Sequence, residues 1–415
     1  MSNLSTVKND KLTGGFHVEH LSEDYKEKCR SNIWKLYLYS FFISFYTVVG
    51  ILMVFLMKWG NLSFLEVMFL QSYFSIMFFI FEVPAGAFAD QIGRKHALII
   101  AAITLAFAGL IYSLVPNIFL FIIAETLWAL GEALLSGTTE AFIFSTLRII
   151  GQEEKYSKVR ARYESIILIG LLISNPLGIF IAQFISLQFT MTFLFFPYLF
   201  AAFIGLLFKE PKFIEKRKTR NFLLNLKSGI NKLKKNKVLR ILSIDMVIVQ
   251  AIILVLYWIY QIYLVELNIQ MYFFSIIFTL MTLTQVAFLN LVPKFLKWFK
   301  KKNKYLKCST ILTGIAVVGL AFTVNVALSV FFVILIAAFG FSRYLIFARG
   351  INKQIESENR ALVLSSINMI GRLIQAGLYP VIGIVVEINI FLGFFVLGGT
   401  IIIITIFSRV RNDYL

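Results

Sequence analysis

Six ionisable residues interrupt stretches of this chain that are otherwise almost wholly apolar: Glu82, Glu125, Glu132, Glu140, Asp245 and Arg372. A charge in hydrocarbon is costly, so residues of this kind mark places where a proton, an ion or a charged solute is handled. The acids outnumber the base, so some of them must carry a proton or face a water-filled cavity. Glu125 and Glu132 are seven positions apart, two turns of a helix, and so share one face with Trp128 between them, roughly 10 Å from end to end. A carboxylate on that face could load a proton or bind a cationic solute; the alternative is a packed, hydrogen-bonded acid. Glu140 lies nearer the helix end and reads as a structural or gate partner. Asp245 and Arg372 rise from the same side and could pair. Glu82 stands two residues before Pro84, where it could bond backbone freed by the proline or join the charged turn that follows. Trp128, Trp258, Tyr260 and Gln261 are candidates for the lining of a cavity, although aromatic residues at helix ends more often anchor the interface.

Other chemistries lack their residues. There is no Gly-x-x-x-x-Gly-Lys-Ser/Thr phosphate loop. The three histidines, His17, His20 and His96, lie outside the apolar runs, and no His, Cys and carboxylate cluster has metal spacing. No catalytic set is visible, so neither an enzyme nor a cofactor or metal is expected. Energy for any work across a membrane then has to come from a gradient.

The elements that must position these residues are long and apolar. Of 415 residues 59% are apolar and the mean hydropathy is +0.81, against about 45–50% apolar in soluble domains. Runs long enough to cross a bilayer fall at about 35–57, 63–89, 97–116, 118–147, 163–185, 188–208, 239–264, 270–295, 306–323, 327–348, 362–386 and 388–408. The sequence therefore predicts an all-α membrane protein of twelve transmembrane helices. The weakest separations are those near Asn117, Ser186, Asn325 and Glu387.

Charge orients the spans. Of the 40 Lys and Arg residues, 38 fall on loops of one side, Arg343 counted among them; Lys58 stands opposite and Arg372 within a span. Positive charge stays on the cytoplasmic side, which puts both termini there in a multi-pass protein of the cell membrane. The net charge of +18 is thereby explained by topology rather than by nucleic-acid binding. Cys29 and Cys308 fall on the same side, where a structural disulfide is not expected.

The longest interior polar stretch divides the chain. The expected organisation is a cytosolic segment 1–34, a six-helix bundle 35–208, a basic cytosolic linker 209–238, a second six-helix bundle 239–408 and a tail 409–415. Within the linker Phe222, Leu223, Leu226, Ile230 and Leu233 recur at helical spacing among lysines, the pattern of an amphipathic helix on anionic headgroups.

After the second span runs Gly86-x-x-x-Asp90-x-x-Gly93-Arg94-Lys95. Gly86 allows a neighbouring helix to come close, Gly93 permits a tight turn, Asp90 can cap the following helix, and Arg94 supplies a forked donor. In this position, between spans two and three on the basic side, the string resembles the loop signature of the major facilitator superfamily. The resemblance implies two six-helix halves that alternate in access, with this turn as a gating motif on the cytoplasmic side. Asn175-Pro176-Leu-Gly178 echoes part of a drug-antiporter signature, and the basic stretch Pro293–Lys302 is a degenerate second-half copy of the turn.

The expected function is a monomeric secondary transporter, proton-coupled, that exports small lipophilic or drug-like molecules. The alternatives are a specific importer or exporter of a metabolite, sugar, peptide or siderophore, and a transporter-like sensor that moves nothing.

Overall fold

The computed structural model describes residues 22–211, 222–355 and 360–415. The N-terminal segment before Ser22 and linker residues 212–221 lie outside the described residues. Among those described there is no strand: with lipid as solvent, backbone polarity is satisfied within helices. The first half holds α1 (Glu23–Ile43), α2 (Leu52–Val54, continued by a wider turn to Trp59), α3 (Phe64–Ile92), α4 (Arg94–Tyr112), α5 (Ile118–Ile149), α6 (Tyr156–Phe184), α7 (Leu187–Phe193) and α8 (Phe195–Leu206). A linker helix α9 (Phe222–Lys235) packs on α10 and α14 and buries Leu233. Then follow α10 (Lys237–Glu266), α11 (Tyr272–Phe299), α12 (Lys302–Leu320), α13 (Val326–Lys353), α14 (Arg360–Ile388) and α15 (Ile390–Phe407).

Ten helical stretches among the described residues are long and apolar enough to span a bilayer. Two of the twelve expected spans fall outside that set for visible reasons. α12 opens on Lys302, Lys304 and Lys307, which dilute its hydropathy. The first span is not one helix: α1 ends at Ile43, and residues 44–51 form turns before α2. The sixth span also breaks, at Leu194 between α7 and α8.

Local chemistry sets several helix starts. Ser63 and Glu66 form a reciprocal capping box at α3, Ser63 N donating to Glu66 Oε2 at 2.7 Å and Glu66 N to Ser63 Oγ at 3.2 Å. The side chains of Asn117, Ser186, Asn236, Asn325 and Asn389 each accept from backbone N–H groups at the start of the next helix.

Four helices carry an internal proline: Pro84 in α3, Pro176 in α6, Pro293 in α11 and Pro380 in α14. Counted from each helix start, the proline is residue 21, 21, 22 and 21 respectively. These same helices meet between the halves, α3 on α14 and α6 on α11.

The joins between α1–α8 and α10–α15 gather at the end away from the basic loops. Gln261 Oε1 accepts from Met53 N at 3.0 Å, and its Nε2 donates to Val49 O at 3.1 Å. Ser72 Oγ donates to Ala376 O at 2.6 Å, and Asn175 Nδ2 lies 3.5 Å from Ser275 O. Leu65 and Met68 pack closely on Gly383, where a Cβ would lie 2.8 Å from Leu65 Cδ1 and 3.0 Å from Met68 Cβ. At the basic end, by contrast, a Cβ placed on Gly86 meets nothing within 4 Å. The close approach expected at Gly86 is absent: the residue is exposed.

Candidate functional site

Hydrogen bonds fix the register of three helices around the centre of the molecule. Gln71 Nε2 donates to Glu125 Oε1 at 3.1 Å, which sets α3 against α5, and Ser72 with Ala376 sets α14 against α3. Carried about two turns along α3 and α5 and one turn back along α14, these registers bring Phe78, Glu132 and Arg372 to one level. That level is close to the midpoint of all three helices. The Arg372 guanidinium lies over the Phe78 ring, 4.4 Å from its centre, and 6.0 Å from that of Phe74. Glu132 and Glu82 both lie within range of its charge, and among the described residues it closes an ion pair with neither. Glu82 Oε2 is buried without a hydrogen-bond partner, so neither role expected of Glu82, bonding freed backbone or joining the charged turn, is seen. Trp128, one turn above Glu132, packs between Tyr46 and Tyr198 at ring distances of 5.4 and 6.1 Å. From the second half, Trp258 lies against the Tyr379 hydroxyl.

Several expected members of this site are elsewhere. Glu125 is turned into the packing of α3, α4 and α5: it is 5% exposed, held by Gln71, with the Tyr112 hydroxyl against the same carboxylate. It therefore does not share an open face with Glu132, despite the two-turn spacing. Tyr260 is buried inside the second half, where it borders a small apolar void with Tyr257 and Phe394. Gln261 belongs to the seal between the halves rather than to a cavity lining. Glu140 pairs with Arg160, 3.4 Å away, and Arg160 also meets Glu164 at 2.6 Å.

Asp245 does not pair with Arg372. Arg343 Nη2 donates to Asp245 Oδ1 at 2.5 Å, with the guanidinium 2% exposed as a residue and stacked 4.9 Å from the Phe347 ring. Arg343, read from the sequence as a loop charge, is an embedded base inside α13, and its pairing with Asp245 is a link between α10 and α13.

The charged turn is built around a residue the sequence reading did not single out. Gly93 has φ +96°, a conformation that favours glycine, and a Cβ there would press on the Glu210 carboxylate. Glu210 accepts from Arg94 N at 2.9 Å and from Lys95 N at 2.7 Å, so it caps the exposed N–H groups of α4. That cap was expected of Asp90, which instead ends up exposed in the last turn of α3. Arg94 Nη1 donates to Ala141 O at 2.8 Å, tying the turn to α5, and Lys95 Nζ donates to Leu206 O at 2.7 Å. Tyr25, Asn32 and Lys35 of α1 hold the carbonyls of Glu210, Lys209 and Leu207. The only hint of Glu210 in the sequence is an acid directly after the sixth span.

The family model of the Major Facilitator Superfamily matches residues 36–377. The chain belongs to the major facilitator superfamily. It is a multi-pass membrane protein, and its solved relatives by structure are transporters. A nucleoside transporter, NupG, superposes with a TM-score of 0.71 at 14% identity, covering 92% of this chain and 98% of that one. A D-xylose–proton symporter gives 0.68 at 14% identity over 95% and 100%. A bacterial homologue of the human lysosomal transporter Spinster, in an inward-facing and unoccupied conformation, gives 0.70 at 13% identity over 95% and 97%. By sequence, an uncharacterised transporter of the superfamily from Bacillus subtilis strain 168, YxaM, is 26% identical over 113 residues. That match spans 27% of this chain and 27% of YxaM.

Proposed function

We propose that this major facilitator protein is a secondary transporter that works by alternating access around the site formed by Phe78, Glu132 and Arg372. The observation that carries the reading is that site's position: at the midpoint of α3, α5 and α14, where the contact of α3 with α14 joins the two halves. The two halves are residues 35–208 and 239–408, joined by the basic linker 209–238. Both termini and the basic loops face the cytoplasm, the membrane is the cell membrane, and the protein acts as a monomer. In this orientation the bonds of Gln261 to Met53 and Val49 lie at the outer end, and the Gly86–Lys95 turn, braced by Glu210, closes the cytoplasmic side in one state of the cycle.

Transport is proton-coupled export of small lipophilic molecules. A half-buried carboxylate at the midpoint supports the coupling, because a group that gains a proton on one side and releases it on the other can drive a solute the opposite way. The aromatic surroundings of Glu132 support a lipophilic cargo. The second reading, a carrier dedicated to one metabolite, would be favoured by a single stabilising ligand in a thermal-shift screen. In proteoliposomes with an imposed pH gradient, the wild-type protein should move fluorescent amphiphiles, and Glu132→Gln should flatten the dependence on pH. Movement that keeps its pH profile in Glu132→Gln removes Glu132 from the coupling.

A further inference from the structure

The mid-depth site holds two carboxyl groups, Glu82 and Glu132, and one guanidinium, so acidic groups outnumber the basic one. It also offers unused acceptors. Among the described residues Glu82 Oε2 is buried and unpartnered, and so is Gln375 Oε1, which is three residues from Arg372 on α14 and hence on a neighbouring face of the helix. An anionic solute entering here would meet two carboxylates. A cation with an aromatic body would find a ring face, carboxylates and free acceptors together, which is the combination that recognises organic cations.

Arg372 already occupies this place. Its guanidinium sits over Phe78 at 4.4 Å with Phe74 behind. Among the described residues it has no ion-pair partner to hold it there. A positive group tethered to α14 offsets the acids while the site is empty, and it can yield because among the described residues no hydrogen bond fixes it.

We propose that Arg372 is a built-in stand-in for the substrate's positive group, and that the transported solute is an aromatic organic cation that replaces the guanidinium between Phe78, Glu82 and Glu132. This rests on the transport reading above and adds the sign of the substrate's charge. It also assigns Arg372 a role opposite to that of an anion receptor: the arginine competes with the substrate instead of binding it.

Two isosteric ions of opposite charge test this: tetraphenylphosphonium and tetraphenylborate, measured by equilibrium dialysis against the purified, monodisperse protein. The wild-type protein should bind the phosphonium saturably and the borate not at all. Removing the competitor with Arg372→Gln should tighten phosphonium binding by roughly tenfold, and Glu132→Gln should weaken it by a similar factor. Saturable borate binding that disappears in Arg372→Gln overturns the proposal, as does phosphonium binding unchanged in both variants. If a variant does not fold, the wild-type preference between the two ions still decides the sign. Failure to bind phosphonium, with neutral amphiphiles still moved in proteoliposomes, sinks the cationic substrate and leaves transport standing. Absence of any movement, with phosphonium bound, sinks transport instead.

Discussion

At the scale of single residues, the interior separates charges that hold the fold from charges left free to work. Asp245 and Arg343 belong to the first kind: a close pair, buried within the second half, joining α10 to α13. Taking one partner away leaves the other buried and uncompensated, which costs roughly 3–5 kcal/mol, whereas replacing both with apolar residues of similar volume is often neutral. Asp245→Asn should therefore lower the unfolding temperature in detergent sharply, and the double variant Asp245→Leu with Arg343→Met should recover most of the loss. Equal damage in the single and double variants would show that the pair does not act as a unit. The sequence disclosed half of this arrangement. Asp245 stood out in an apolar run, but Arg343, inside the run 327–348, was grouped with the loop charges around it. An arginine a few residues from a helix end looks like a topology signal, and only the position of its acid, in a helix distant along the chain, shows otherwise.

At the scale of elements, what was legible depended on whether a helix boundary is written locally. The short connections at Asn117, Ser186 and Asn325 carry their own caps, so polar residues in an apolar sequence mark them directly. The break in the first span carries no such mark: residues 44–51 read Ser-Phe-Tyr-Thr-Val-Val-Gly-Ile, apolar enough to continue the helix. Its free backbone groups are met from elsewhere. Ser174 Oγ of α6 accepts from Tyr46 N at 3.0 Å, and Gln261 of α10 bonds Met53 N and Val49 O, while the Thr47 side chain donates to Thr190 O at 2.7 Å. Gln261 is 1% exposed and crosses from one half to the other, so it links the break in the first span to the seal. Gln261→Leu keeps the volume and removes both bonds, leaving two buried backbone groups unmet at about 1–3 kcal/mol each. With spin labels at Lys58 and Gln270, the wild-type protein should give one short distance at this end. The leucine variant should add a longer population. A single unchanged distance would mean that the seal is held by helix packing at Gly383 and Ser72 alone.

At the scale of the whole molecule, the two halves repeat features that the sequence scarcely shows. The prolines of α3 and α11, and of α6 and α14, fall at matching depths, and the first turn of each half contains an asparagine at φ 54°, Asn61 and Asn268. Apolar length and loop charge were enough to read the membrane architecture, because they set the number and direction of crossings without fixing residue identities; solved structures at 13–14% identity superpose along nearly the whole chain. The site was legible only in part. Glu132 and Arg372 were visible as charges in hydrocarbon, but that they share a level depends on helix registers set by Gln71, Glu125, Ser72 and Ala376. The same pairing of halves makes the sidedness testable. If the basic loops are cytoplasmic and all twelve segments cross, single cysteines replacing Lys58 and Gln270, both exposed at the sealed end, should react with an impermeant maleimide added to intact cells. Cysteines replacing Lys155 and Lys301, exposed at the other end, should react only after the membrane is opened. Because Lys58 follows the broken first span and Lys301 precedes α12, the four positions also test the two segments that fall outside the ten clearly apolar stretches. If α12 does not cross, Lys301 and the α12–α13 turn lie on one side, and a cysteine at exposed Val324 would stay protected with Lys301 instead of reacting with Gln270.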